Sequence, residues 1–164
     1  MNKLKYILLL SVAFLVIGKK SQAQDYQTAI GLKFGAYEVG PSIKYFTDKN
    51  TSLEGIIGIR DHGVVFTGLY EKSTTAFNVD KLSFYYGFGG HLGSVGSGYY
   101  KRLGGDDEYY SGKHILIGAD AVVGLEYVIP NAPIAISLDL NPRLELARGP
   151  FFDIAPGLGL KYTF

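Results

Sequence analysis

Residues 151–164 read FFDIAPGLGLKYTF. The even positions hold Phe152, Ile154, Pro156, Leu158, Leu160, Tyr162 and Phe164. The odd positions hold Asp153, Ala155, Gly157, Gly159, Lys161 and Thr163. A period of two marks a β-strand with one apolar face. The stretch predicts a long final strand that closes a sheet on itself.

The same rhythm runs backward through the chain. Ile134 to Leu146 is its clearest instance: Ile134, Ile136, Leu138, Leu140, Pro142, Leu144 and Leu146 alternate with Ala135, Ser137, Asp139, Asn141, Arg143 and Glu145. Further strands are predicted at about His114–Ile129, Lys81–Leu92, Val64–Glu71, Ser52–Arg60, Ser42–Thr47 and Thr28–Tyr37. Val64–Glu71, VVFTGLYE, carries apolar residues on both phases, so its faces stay unassigned. The polar stretches DKNTS, KSTTAFNVD and PNAP read as turns or loops. The segment EVGP reads as a short link. GSVGSGYYKRLGGDDEYYSGK (93–113) reads as the longest irregular stretch. Eight strands joined in sequence by hairpins result, with no linker dividing them.

The chain opens MNKLKYILLLSVAFLVIGKKSQAQ. Lys3 and Lys5 precede an apolar run from Tyr6 to Gly18, too short for a spanning helix of ~20 residues. SQA supplies small residues before a cleavage point between Ala23 and Gln24. A signal peptide at 1–23 and a barrel domain at 24–164 are expected. Loss of lysines 3, 5, 19 and 20 leaves 12 basic residues against 15 acidic ones, near −3. That balance argues against nucleic-acid binding, which favours clustered basic charge. There is no cysteine, which excludes structural disulfides, a lipid-modified cysteine and any thiolate metal site.

An amphipathic strand has two readings. In a soluble barrel the apolar face points inward; in a membrane barrel it meets lipid. Three features favour the membrane. The polar face is rich in glycine (Gly31, Gly35, Gly87, Gly89, Gly118, Gly124, Gly157, Gly159), which weakens an exposed strand but relieves crowding in a narrow tube. Several strands exceed the usual soluble length of ~5–6 residues. Turn lengths alternate, with the long 93–113 stretch at the end opposite the termini. The expected fold is all-β: an eight-stranded antiparallel up-and-down transmembrane β-barrel. A lipocalin-like soluble barrel is the runner-up.

On this orientation the lumen holds Lys33, Lys44, Arg60, Arg143 and Lys161 with Glu54, Asp120, Glu126, Asp139, Glu145 and Asp153. Buried charges must pair, so an interlocked plug is expected, with a small-solute or ion path as the alternative. His91 lies on the polar face and Ser83 on the same phase, but eight residues separate them, too far for a nucleophile and its base. His91 with His114 makes a poor metal site without a third ligand. No catalytic residue, metal or cofactor is expected. The outward candidate is the loop holding Tyr99, Tyr100, Lys101, Arg102, Asp106, Asp107, Glu108, Tyr109 and Tyr110. Tyrosines there suit either recognition or a seat at the membrane interface.

LSFYYGFGGHLG, IGADAVVGLEYVIPNAPIAISLDLNPRLEL and GLGLKYTF resemble the small eight-stranded outer-membrane barrel family of the OmpX and OmpA-barrel type. The resemblance implies a monomer in the outer membrane of a Gram-negative-type bacterium, with both termini periplasmic. Its partners would be outer-membrane lipids, lipopolysaccharide and the assembly machinery. Leu158, Leu160, Tyr162 and Phe164 resemble the aromatic-ended signal by which that machinery recognises a last strand. A structural or surface-interaction role follows, with a lipid-modifying enzyme the remotest alternative.

Overall fold

The computed structural model describes residues 26–60, 63–100, 108–147 and 151–164. Ten strands run in chain order: β1 (Thr28–Gly35), β2 (Val39–Asp48), β3 (Thr51–Arg60), β4 (Gly63–Thr75), β5 (Leu82–Val95), β6 (Gly98–Tyr100), β7 (Glu108–Tyr110), β8 (His114–Val128), β9 (Ile134–Glu145) and β10 (Phe151–Thr163). Eight of them form a closed antiparallel barrel in the order β1-β10-β9-β8-β5-β4-β3-β2. The sequence-predicted architecture is therefore the one found. β6 and β7 pair with each other alone, as a ribbon continuing the β5–β8 hairpin.

Closure rests on the last strand. Ile30 stands opposite Tyr162, Leu32 opposite Leu160 and Phe34 opposite Leu158. Thr28 and Phe164 exchange two backbone hydrogen bonds, of 3.0 and 2.9 Å, that seal the seam. A closed ladder leaves no unpaired edge, which a sheet in hydrocarbon requires.

The boundaries differ from the sequence reading in three places. Val39, Gly40 and Pro41 belong to β2, so EVGP is mostly strand. Pro41 faces outward, and the β2–β3 ladder passes from Val39–Ile59 to Ser42–Ile56 without pairing it, so the ladder does not call on its missing N–H. β4 continues through Thr75, so most of the loop expected at 72–80 shrinks to a tight turn. Part of the 93–113 stretch is strand: β5 runs to Val95, and Gly98–Tyr100 pairs with Glu108–Tyr110, while 101–107 lie outside the described residues. Gly93 and Ser94 hid the end of β5.

The distribution of burial is inverted relative to a water-soluble protein. Among the described residues, 21 polar or charged residues are buried against 11 hydrophobic ones, while Ile59, Phe88, Leu138 and Phe152 are 60% exposed or more. β4 resolves into inward Val65, Thr67, Leu69 and Glu71 and outward Val64, Phe66, Tyr70 and Lys72. Its phase was ambiguous because Val65 and Leu69 are apolar yet inward. They fill two small clusters inside the tube, Val65–Val95–Leu116 and Ile56–Leu69–Tyr85–Val122.

Inward glycines make room for charged neighbours. A Cβ on Gly124 would lie 2.6 Å from the Asp139 Cβ and 2.8 Å from the Tyr85 ring. One on Gly118 would lie 2.4 Å from the His91 ring. Outward Gly68, by contrast, has nothing within 4 Å of that position. The expected pair of outcomes is asymmetric. Gly124→Ala should cost about 1–3 kcal/mol through overpacking, whereas Gly68→Ala should be neutral or stabilise by up to about 1 kcal/mol. Equilibrium urea unfolding from detergent or lipid measures both.

Candidate functional site

The lumen is the one place where the fold concentrates titratable side chains. Alternation aims every second residue of the eight barrel strands inward, and ladder register sets which charges meet. The structure places Lys33, Lys44, Glu54, Arg60, Asp120, Glu126, Asp139, Arg143, Glu145, Asp153 and Lys161 all inside, each at most 6% exposed. Glu38, Glu71, Tyr85 and His91 join them.

These groups form three tiers. Nearest the termini, Lys44 Nζ lies 2.9 Å from Glu71 Oε2 and 3.3 Å from Glu126 Oε2. Lys161 Nζ lies 2.8 Å from Glu54 and 3.5 Å from Glu126. Ser52 donates to Glu71 (3.1 Å), and the Tyr26 hydroxyl donates to Glu126 (2.6 Å). The Tyr26 ring packs edge-on against Phe46 at 5.1 Å, closing that mouth.

In the middle tier, Asp139 Oδ2 accepts from Lys33 Nζ and from the Tyr85 hydroxyl, both at 2.6 Å. Lys44 Nζ sits 4.3 Å over the Tyr85 ring and couples this tier to the one below. Toward the β6–β7 end, His91 Nδ1 faces Asp120 Oδ2 at 2.9 Å and Nε2 faces Glu145 Oε2 at 3.0 Å. Carboxylates at both nitrogens suit the doubly protonated ring. Arg143 spans Asp120 (3.2 Å) and Glu38 (2.5 Å). Tyr37 donates to Asp153 at 3.3 Å and lies beneath the Arg60 guanidinium.

The acids outnumber the bases: eight buried carboxylates face five lysines and arginines. Neutral donors absorb the difference. The hydroxyls of Tyr26, Tyr37, Ser52 and Tyr85 all point at carboxylates. Glu145 Oε1 also accepts the backbone amides of Ile117 and Ala147, at 2.9 and 3.1 Å. Charge-assisted bonds of this kind are stronger than neutral ones.

Several participants escaped the sequence reading, Glu71, Glu38, Tyr85 and Tyr26 among them. Glu71 lay in the strand of ambiguous phase, although it is the only acid there and marks the inward side. Glu38 lay in a supposed link. The turn that bonds Gly35 N to Glu38 O (2.8 Å) carries it over the barrel mouth to Arg143. Tyr85 falls on the polar phase of its strand with Ser83 and His91, but as an uncharged residue it stands outside the charge network read from the sequence. Tyr26 preceded the first predicted strand.

Ser83 stands across from Glu126 at the far end of β5 from His91. Both His91 nitrogens are occupied by carboxylates. Among the described residues, no group of three or more His, Cys, Asp or Glu side chains has the geometry to hold a metal ion. In the outward loop, the Tyr99 and Tyr109 rings pair across the β6–β7 ribbon at 5.0 Å, and both are more than half exposed. Tyr100, Glu108 and Tyr110 belong to the same two strands. Lys101, Arg102, Asp106 and Asp107, and the Ala23–Gln24 cleavage point, lie outside the described residues.

Among solved structures, the chain is similar to the N-terminal β-barrel domain of Pseudomonas aeruginosa OprF. The TM-score is 0.64 at 19% identity, over 84% of this chain and 96% of that one. The likeness establishes a shared fold and a closely matching size. No protein-family model matches the chain, and no curated protein matches it.

Breaking one ion pair separates its cost from that of the charge left behind. Lys33→Met strands Asp139 and should destabilise by about 3–5 kcal/mol. Lys33→Met with Asp139→Asn removes both charges, keeps an acceptor for Tyr85, and should recover most of that loss. Urea midpoints for the two variants and the parent make the comparison.

Proposed function

We propose that this protein is an integral outer-membrane β-barrel, held in place by its apolar exterior and plugged by its charged interior, with a structural or surface-interaction role. One observation carries the reading: the barrel is inside-out. Leu32, Ile57, Phe66, Leu92, Ile117, Leu138 and Leu160 form a continuous oily belt, while lysines, glutamates and aspartates are sealed within. A soluble protein rarely exposes an apolar patch above a few hundred Å². Strands of 8 to 15 residues match the ~9–11 that cross a tilted bilayer.

The orientation follows from the unequal ends. The end with both termini and the tight turns faces the periplasm, and the β6–β7 hairpin projects outside. Lipids and lipopolysaccharide surround the belt. Tyr99 and Tyr109 meet surface partners. Leu158, Leu160, Tyr162 and Phe164 lie on the outer phase of β10, where the assembly machinery can read them before closure. The chain works as a monomer after cleavage at Ala23–Gln24, and carries no catalytic role.

Two measurements test this together. Cell fractionation should place the protein in the outer membrane, and it should migrate differently on gels before and after boiling. Purified protein in planar bilayers should show no steady conductance, because the three tiers leave no open path. Recovery in the soluble fraction without detergent would overturn the membrane assignment. Sustained conductance would overturn the plug and favour the channel reading.

A further inference from the structure

The turn between β4 and β5 carries a feature that neither its backbone nor its packing explains. Phe77 and Asn78 have φ of 52° and 53°, and Val79 N donates to Ala76 O at 2.9 Å. Two consecutive left-handed residues in a four-residue hydrogen-bonded turn define type I′, which favours asparagine and glycine. Asn78 fits. A bulky aromatic at positive φ is a genuine outlier. Phe77 also gains nothing by packing: it is 82% exposed, the highest value among the exposed large hydrophobic residues described. Val79 beside it is 45% exposed. Strain of this kind at an exposed site points to a role outside the fold itself.

Position identifies the partner. Ala76 N bonds Leu82 O at 2.8 Å, and Leu82 pairs with Tyr127, whose outward ring lies near the terminus-side edge of the belt. Phe77 is the next residue beyond. At ~3.3 Å per residue along strands tilted by ~40°, the ring stands only ~3–5 Å past that edge. A polar headgroup layer is about 5–7 Å deep. Along β5 the outward phase runs through Leu82, Phe84, Tyr86 and Phe88 with no charged residue among them, and Asp80 and Lys81 separate this row from Phe77 in the turn. Lys72 and Lys81 lie on the two strands' sides of the turn, with Asp80 beside Lys81, and the Lys72 amine lies 6.0 Å from the Tyr70 ring centroid.

We propose that Phe77, with Val79, is an anchor in the headgroup layer of the periplasmic leaflet. The exposed ring at the tip of this left-handed turn fixes the depth at which the barrel sits. This rests on the membrane reading above and adds a specific lipid contact to it. A phenylalanine seated at the acyl boundary recovers by burial what its backbone loses.

The absence of tryptophan allows a direct test. F77W and, separately, L138W are folded into phosphatidylcholine vesicles containing lipids brominated either near the headgroup or at mid-chain. L138W should be quenched most by mid-chain bromine, and failure there would sink the membrane reading itself. F77W should emit blue-shifted, be quenched most by shallow bromine, and be several-fold less sensitive to aqueous acrylamide than free N-acetyl-tryptophanamide. If L138W behaves as stated while F77W is quenched by acrylamide like the free indole, the anchor is wrong and an aqueous partner, such as a periplasmic protein, takes its place. F77N gives an independent sign. Asparagine prefers this backbone, so the urea midpoint from vesicles should rise if Phe77 touches nothing. The anchor requires it to fall, and a rise overturns it.

Discussion

A narrow closed barrel gives its inward side chains almost no water, and that constraint governs everything else in this protein. Alternation is obligatory in a strand. Once the outer face is apolar, each remaining residue must be satisfied inside a tube about as wide as two side chains. A buried charge without a partner costs more than most single contacts contribute. The sequence therefore has to supply acid and base at matching heights on different strands. Lys33 on β1 meets Asp139 on β9, and Lys44 on β2 meets Glu71 on β4 and Glu126 on β8. Lys33–Asp139 and Lys44–Glu71 each reach past one intervening strand, while Lys44–Glu126 joins strands four apart around the barrel and so ties opposite walls together. Tyrosine and serine hydroxyls complete the arrangement where cations run short, and glycine clears the space that long side chains need.

A lumen crowded with paired charges directs attention to the two ends and the exterior. Inside the tube, both nitrogens of His91 are held by carboxylates. What remains available is the apolar belt, the β6–β7 ribbon with its paired tyrosines, and the turns at the termini. A ribbon of three residues per strand is marginal alone. Here it grows from the long β5–β8 ladder, which holds it away from the barrel rim. On the proposed reading, stability and presentation belong to different parts of the molecule: the ion-paired tube and the exposed hairpin.

The strands were legible in the sequence because one force wrote them. β9 and β10 alternate almost without exception, and each position fell on the face its residue type implied. β4 was opaque for a specific reason. Val65 and Leu69 face inward, where the tube is wide enough for small apolar clusters, so both phases looked oily. The ion pairs themselves were not legible. Which carboxylate meets which lysine depends on register summed around eight ladders, a long-range quantity that no local pattern records. Glu38 makes the point: its contact with Arg143 depends on a turn between β1 and β2 that bends the chain back over the mouth. The β6–β7 hairpin was missed because its strands are only three residues each, too short to show a period of two, and the pairing of Tyr99 with Tyr109 follows from the hairpin rather than from either residue alone.

The central claim is that apolar residues face lipid and charged residues face the lumen. Spin labels placed one at a time at Ile136, Ser137, Leu138, Asp139 and Leu140 test it most directly, since the chain contains no cysteine to interfere. In vesicles, collision with oxygen should be high at 136, 138 and 140 and low at 137 and 139, while a water-soluble nickel chelate reaches none of the first three. High nickel accessibility at 136, 138 and 140 would place that face in water and contradict the account.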